Sequence, residues 1–104
     1  MSKLPKSFRE ANKTKRSFRD QYAKLTKSQQ KLVRDAAKLF HEQPEHPSFR
    51  RHVLEDRRGA SHVTGSESIS VCMGLRAIFV EDDGVNWWYW IGSHASYDTF
   101  TASR

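Results

Sequence analysis

The apolar positions of this chain change their period once, near Pro47. Before it, residues 1–14 are polar and basic with little periodicity and predict a loose basic arm or a short helical turn. From Lys15 to Leu25, Phe18, Tyr22 and Leu25 recur at helical spacing, on one face of a short amphipathic helix. Thr26-Lys27-Ser28 interrupts that rhythm. Ser28 is the expected N-cap of a second helix that carries Leu32, Val33, Ala36, Ala37, Leu39 and Phe40 and runs to about Glu42. Pro44 and Pro47 turn the residues before them away from helix, so the helical part should span residues 15–42.

After Pro47 the runs shorten and the period moves towards two, which predicts strands at Phe49 to Leu54, Ser68 to Met73, Arg76 to Glu81 and Asn86 to Gly92. Gly74-Leu75 is the expected turn between the middle pair, and Glu81-Asp82-Asp83-Gly84 a strong reversal before the aromatic run. Glu55 to Ser61 reads as an exposed loop. Three strands joined by tight turns make an antiparallel meander, so the expected class is α+β, with the helix pair covering one sheet face and the other face left for function. Strict alternation along Val85 to Gly92 would put Trp88 and Trp90 on one face and Trp87 with Tyr89 on the other.

Length adds that 104 residues close a single core, so one domain is expected over 1–104, with its sheet over 48–92. No run approaches the roughly 20 apolar residues that span a bilayer, and the amino terminus has no apolar stretch resembling a secretory signal. The expected location is cytoplasmic, with no membrane partner. Cys72 is the one cysteine, so neither an internal disulfide nor a cysteine zinc site can form, and it reads as a small apolar residue rather than a nucleophile. His41, His46, His52, His62 and His94 lack the paired spacing of a metal motif, and no metal or cofactor is expected. The net charge of +6 is unevenly placed: residues 1–58 hold 16 Lys and Arg against 7 Asp and Glu, and residues 59–104 hold 2 against 5. A basic half of this kind favours a polyanionic partner, either nucleic acid or an acidic protein segment.

The block Trp90-Ile91-Gly92-Ser93-His94-Ala95-Ser96-Tyr97-Asp98 resembles the C-terminal signature of ParE-like proteins in the RelE/ParE toxin superfamily. Phe18 to Tyr22, Leu25, Gln30, Ala36, Phe40, His46-Pro47-Ser48-Phe49 and Arg76-Ala77-Ile78 follow in the family's order, so that the resemblance covers about Lys15 to Phe100. It implies a helical hairpin on a twisted antiparallel sheet with a short C-terminal helix, here His94 to Ala102 within a 93–104 tail. It also implies a type II toxin neutralised by a cognate antitoxin wrapped on the basic surface. Two activities occur under that resemblance: ribosome-dependent cleavage of messenger RNA, the leading expectation, and non-enzymatic inhibition of DNA gyrase. A catalytically inactive RNA-binding module is a third.

Metal-independent cleavage, in which a 2′-hydroxyl attacks the adjacent phosphate, needs a base, an acid and cations facing the phosphate. By resemblance, Arg76 matches the arginine that contacts the scissile phosphate and His94 the general acid, while Tyr97 shares the face of His94 and stacks on a base or orients the phosphate. The purely structural alternatives are a strand-edge arginine, a helix-capping Ser93-His94 pair and a core-closing tyrosine. Arg50, His52, Arg57 and Arg58 are the candidate RNA-binding residues; alternation sets Arg50 and His52 on one face and Arg51 on the other. Asp98 is expected to cap the helix or to pair with a cation. Ser70 stands where many relatives carry a basic residue, and Glu55 to Glu67 is longer than the family norm, so that Arg58 or His62 is left to substitute.

Overall fold

A computed structural model describes residues 8–102 of the chain. Of the expected arm, residues 1–7 lie outside the described residues, as do 103 and 104 of the expected tail; residues 8–14 are ordered into elements. A single turn of helix, α1 (Phe8–Ala11), leads into a short strand, β1 (Asn12–Thr14), and then come α2 (Arg16–Ala23) and α3 (Lys27–Glu42). A 3₁₀ turn (Pro47–Phe49) precedes β2 (His52–Val53), β3 (Glu67–Cys72), β4 (Leu75–Asp82), β5 (Val85–Ser93) and α4 (His94–Thr101). The strands form one sheet in the order β1-β5-β4-β3-β2. The expected α+β architecture is present, with a helical pair on the sheet and a short C-terminal helix.

The sheet is mixed rather than wholly antiparallel, because β1 pairs parallel to β5 through Asn12–Asn86, Lys13–Trp87 and Thr14–Trp88. This strand carries no hydrophobic alternation that would have announced it. Beyond Thr14 the chain turns into α2, whose side chains take over the pairing of the β5 edge. Ser17 Oγ donates to the Tyr89 carbonyl at 2.6 Å, and Gln21 Oε1 accepts from Ile91 N–H at 2.9 Å. Backbone groups that a longer β1 would have satisfied are thereby met by a helix.

Three further expectations are corrected. The N-cap of α3 is Thr26, not Ser28: the Thr26 hydroxyl accepts from Gln29 N–H at 3.1 Å and Gln29 Oε1 accepts from Thr26 N–H at 3.0 Å, a reciprocal capping box. The strand expected over Phe49 to Leu54 shrinks to two residues, because Phe49 is pulled into the core from a 3₁₀ turn and Arg50 adopts a left-handed conformation with φ 46°. Arg50 therefore does not alternate with His52 on a strand. Finally, Ile78 pairs with Trp90 but Phe79 with Trp88, so Tyr89 is a bulge residue. The extra residue puts Trp88 and Trp90 on opposite faces of the sheet and Tyr89 on the same face as Trp90, contrary to strict alternation.

Two cores result. On the helix side, Phe40, Phe49, Ile69, Ala77, Phe79 and Ile91 are buried, with Phe18, Tyr22, Val33 and Trp88 packed against them. Phe40 sits edge-on to Phe49, Phe79 and Trp88 with ring centroids 5.3–5.7 Å apart. Each such ring contributes roughly 1.5–3 kcal/mol by burial, so this cluster dominates stability. Arg51 closes its edge, lying over Phe40 and Phe79 while donating to Glu67 at 2.7 Å and Glu45 at 2.8 Å. The hydrogen bond to Glu67 raises the Arg51 guanidinium further above its ordinary range. Across the sheet, Leu54, Ile78, Trp90 and Tyr97 form the second core, bordered by Tyr89 and Phe100. The face expected to be open for function is thus partly roofed by α4 and by the segment before β3, which the Tyr89 hydroxyl anchors at Ser66 Oγ and Val63 N–H.

Candidate active site

The sheet face under α4 carries polar side chains where β3 would otherwise continue the core. Alternation along β3 aims Ser68 and Ser70 to this face, and the register sets Ser68 beside Ile78 and His52, and Ser70 beside Arg76. Gly92 on β5 is the other cross-strand neighbour of Arg76. The chain leaves β5 at Ser93, whose hydroxyl accepts from Ser96 N–H at 3.1 Å and caps α4. That cap sets His94 at the first position of the helix and Tyr97 one turn on.

These constraints bring Arg76, His94 and Tyr97 together. Arg76 Nε–H donates to His94 Nδ1 at 3.2 Å, and the guanidinium lies 4.9 Å over the Tyr97 ring. Such a stacked cation contributes about 0.5–1 kcal/mol where solvent reaches it. His94 Nε2 faces Asp98 Oδ2 at 3.5 Å, one helical turn along. Ser93 alone performs the capping, and the imidazole bonds to Arg76, not to a local carbonyl. Tyr97 is only 4% exposed, so its ring closes the second core as well as supporting Arg76.

The Tyr97 hydroxyl continues inward. It lies 2.9 Å from Ser68 Oγ and 3.3 Å from His52 Nε2, and Ser68 Oγ is itself 3.3 Å from that nitrogen. His52 Nδ1 is 3.0 Å from the Arg50 carbonyl, which can only accept, so in the neutral ring the proton sits on Nδ1 and Nε2 presents a lone pair to the two hydroxyls. Arg50 thus contributes its backbone here, while its side chain is exposed. His52 and Arg57 share a small cleft of about 130 Å³ with Glu55 and Thr101, and Arg57 pairs with Glu55 at 3.3 Å. Among the described residues no hydrogen bond or ion pair joins Arg58 to this cluster.

Ser70 stands directly across from Arg76 and spends its hydroxyl on the Cys72 carbonyl at 3.3 Å. His62 is turned inward, 1% exposed, with Asp56 at 3.7 Å. Ser68 is the residue that reading the sequence missed: a serine at an inward strand position between Glu67 and Ile69 was the available signal, and only the fold supplies its partners. Among the described residues no group of three His, Cys, Asp or Glu side chains gathers as a metal site, and no helix is long and apolar enough to cross a membrane. A larger cavity of about 470 Å³ opens between the helices and the sheet, lined by Phe8, Phe18, Tyr22, Val33, Trp88 and other mainly apolar groups, and offers hydrophobic contact rather than chemistry.

No family model matches the chain, and no curated protein matches it in sequence. Solved structures do. YafQ from Escherichia coli strain BL21(DE3) superposes with a TM-score of 0.62 at 15% identity, over 83% of this chain and 94% of that one. A chain of the E. coli DinJ-YafQ toxin-antitoxin complex gives 0.61 at 14%, over 82% and 92%. A copper-bound mutant toxin from Helicobacter pylori gives 0.60 at 14%, over 82% and 94%. At such identities the likeness is one of fold: this chain has the RelE-like fold of those toxins.

Proposed function

We propose that this chain is the toxin of a type II toxin-antitoxin pair and acts as a metal-independent, ribosome-dependent messenger-RNA endoribonuclease in the bacterial cytoplasm. One observation carries the reading: Arg76, His94 and Tyr97, which the sequence singled out separately, meet on one face through a 3.2 Å hydrogen bond and a stacked guanidinium. The toxin-like fold supports it, and the surplus of positive charge over residues 1–58 suits both RNA and an acidic antitoxin segment.

In this mechanism Arg76 binds the scissile phosphate, with its planar fork matched to two phosphate oxygens. The 2′-hydroxyl attacks the adjacent phosphorus, forming the O2′–P bond and breaking P–O5′. The 2′-hydroxyl gives its proton to solvent, and His94 supplies the proton that the departing O5′ requires. Tyr97 holds the guanidinium flat and positions the phosphate. Arg50, His52, Arg57 and Arg58 hold the RNA backbone, and the absent cation at Ser70 makes the site weaker than one with two phosphate-facing charges.

The test is inducible expression in a bacterial host lacking the antitoxin, following amino-acid and thymidine incorporation for wild type, Arg76→Ala and His94→Ala. Protein synthesis is expected to stop first, and each variant to be harmless, since removal of a general acid costs on the order of 10²–10⁴ in rate. Arrest of DNA synthesis first, with His94→Ala still toxic, would replace this reading with gyrase inhibition. A wild type without effect on growth would leave an inactive RNA-binding module.

A further inference from the structure

A guanidinium has only N–H groups to offer, so its bond to His94 decides where the histidine proton lies. Arg76 Nε–H donates to Nδ1 at 3.2 Å, which leaves Nδ1 bare and the proton of the neutral ring on Nε2, beside Asp98 Oδ2 at 3.5 Å. Among the described residues, the aromatic ring beside His94 is that of Tyr97, 6.4 Å between centroids, which offers its edge and face rather than its hydroxyl. A second proton on Nδ1 would set N–H against N–H and one cation against another. While the Arg76 bond stands, Nδ1 is occupied as an acceptor, and a ring with no proton on Nδ1 has none to give a leaving oxygen on that side.

We propose that Arg76 occupies Nδ1 of His94 until an RNA phosphate takes the guanidinium, that the vacated Nδ1 then takes up a proton, and that Asp98 is the positioning residue that holds the resulting imidazolium through Nε2. The inference rests on the ribonuclease reading above and adds how the acid is armed. The guanidinium edge turned to His94 includes Nε, so a phosphate entering on that side competes with the imidazole for the same N–H, and two charge-assisted bonds to phosphate outweigh one to a neutral nitrogen. The proton balance closes: one proton enters from water onto Nδ1, passes to O5′ as P–O5′ breaks, and His94 returns to the neutral form that Arg76 can bind again. The nitrogen that delivers the proton is the one facing the site that Arg76 vacates.

The whole chain, with its histidine rings labelled with ¹⁵N, tests this by NMR at a fixed neutral pH, the His94 signals being assigned from their loss in His94→Gln. The probes are inorganic phosphate and a short 2′-O-methyl RNA, which has no nucleophile. Free wild type should show a bare Nδ1 and a protonated Nε2; saturating RNA should protonate both. Arg76→Ala should lose the single tautomer in the free state, and Asp98→Asn should lower the imidazolium fraction of the RNA-bound form about threefold, the effect of one exposed ion pair. A bare Nδ1 in the RNA-saturated protein, Nδ1 already protonated in the free protein, no response to either probe, or an Asp98→Asn complex identical to wild type would each overturn the proposal. Because no readout depends on cleavage, a wild type that shows every expected signal yet cuts no RNA would instead refute the ribonuclease reading.

Discussion

Gly92 lacks a side chain because Trp90 occupies its space. A Cβ built on Gly92 would lie 2.8 Å from Trp90 Cη2 and 2.9 Å from Cζ2, and Trp90 is itself buried in the second core and cannot swing aside. Gly92→Ala is expected to destabilise the protein by about 1–3 kcal/mol, as other overpacked sites do, and a urea unfolding midpoint will read it. The same glycine is the cross-strand neighbour of Arg76. Other residues of the site were only half legible in this way. Helical spacing put Tyr97 on the side of His94, but whether its ring faced solvent or core depended on Leu54, Ile78 and Trp90, which come from three other places in the chain. Ser68 was invisible as a site residue, since its meaning comes from Tyr97 and His52, 29 and 16 positions away.

Elements were read more securely than their ends. The spacing of Leu32, Val33, Ala36 and Phe40 required α3, but three polar residues in a row left its first residue open, and the reciprocal bonds between Thr26 and Gln29 settled it. Thr26→Ala should cost about 1 kcal/mol, while Ser28→Ala, already inside the helix, should change stability by less than about 0.5 kcal/mol; the two urea midpoints side by side check the assignment. The β4–β5 hairpin was legible because Asp83 and Gly84 both adopt positive φ, 52° and 78°, as a two-residue turn with this chemistry demands. Strand β1 was not, because three polar residues pair by backbone alone. Nor was the bulge at Tyr89: alternation assumes an unbroken ladder, and one inserted residue moved Trp88 and Trp90 to opposite faces.

At the scale of the molecule, the sheet separates two cores that share no side chains. Ile91→Val, on the helix side, should cost about 1 kcal/mol and Leu54→Ala, on the α4 side, about 3 kcal/mol, and the double variant should equal their sum to within about 0.5 kcal/mol, as denaturant titrations of the three proteins will show. A larger coupling would mean that the sheet transmits strain between its faces. This division also places the candidate chemistry: the helix-side core holds the buried rings of Phe40, Phe49 and Phe79, and the smaller core beneath α4 can hold a polar cluster at its margin. Periodicity, proline placement and charge were sufficient for the α+β class, the helical pair, the three long strands and the basic half, because each is a property of neighbouring residues. The mixed sheet, the second core and the meeting of Arg76 with His94, Tyr97, Ser68 and His52 were decided only by tertiary structure, because they depend on strand register and on a bulge that bring distant residues within hydrogen-bond reach.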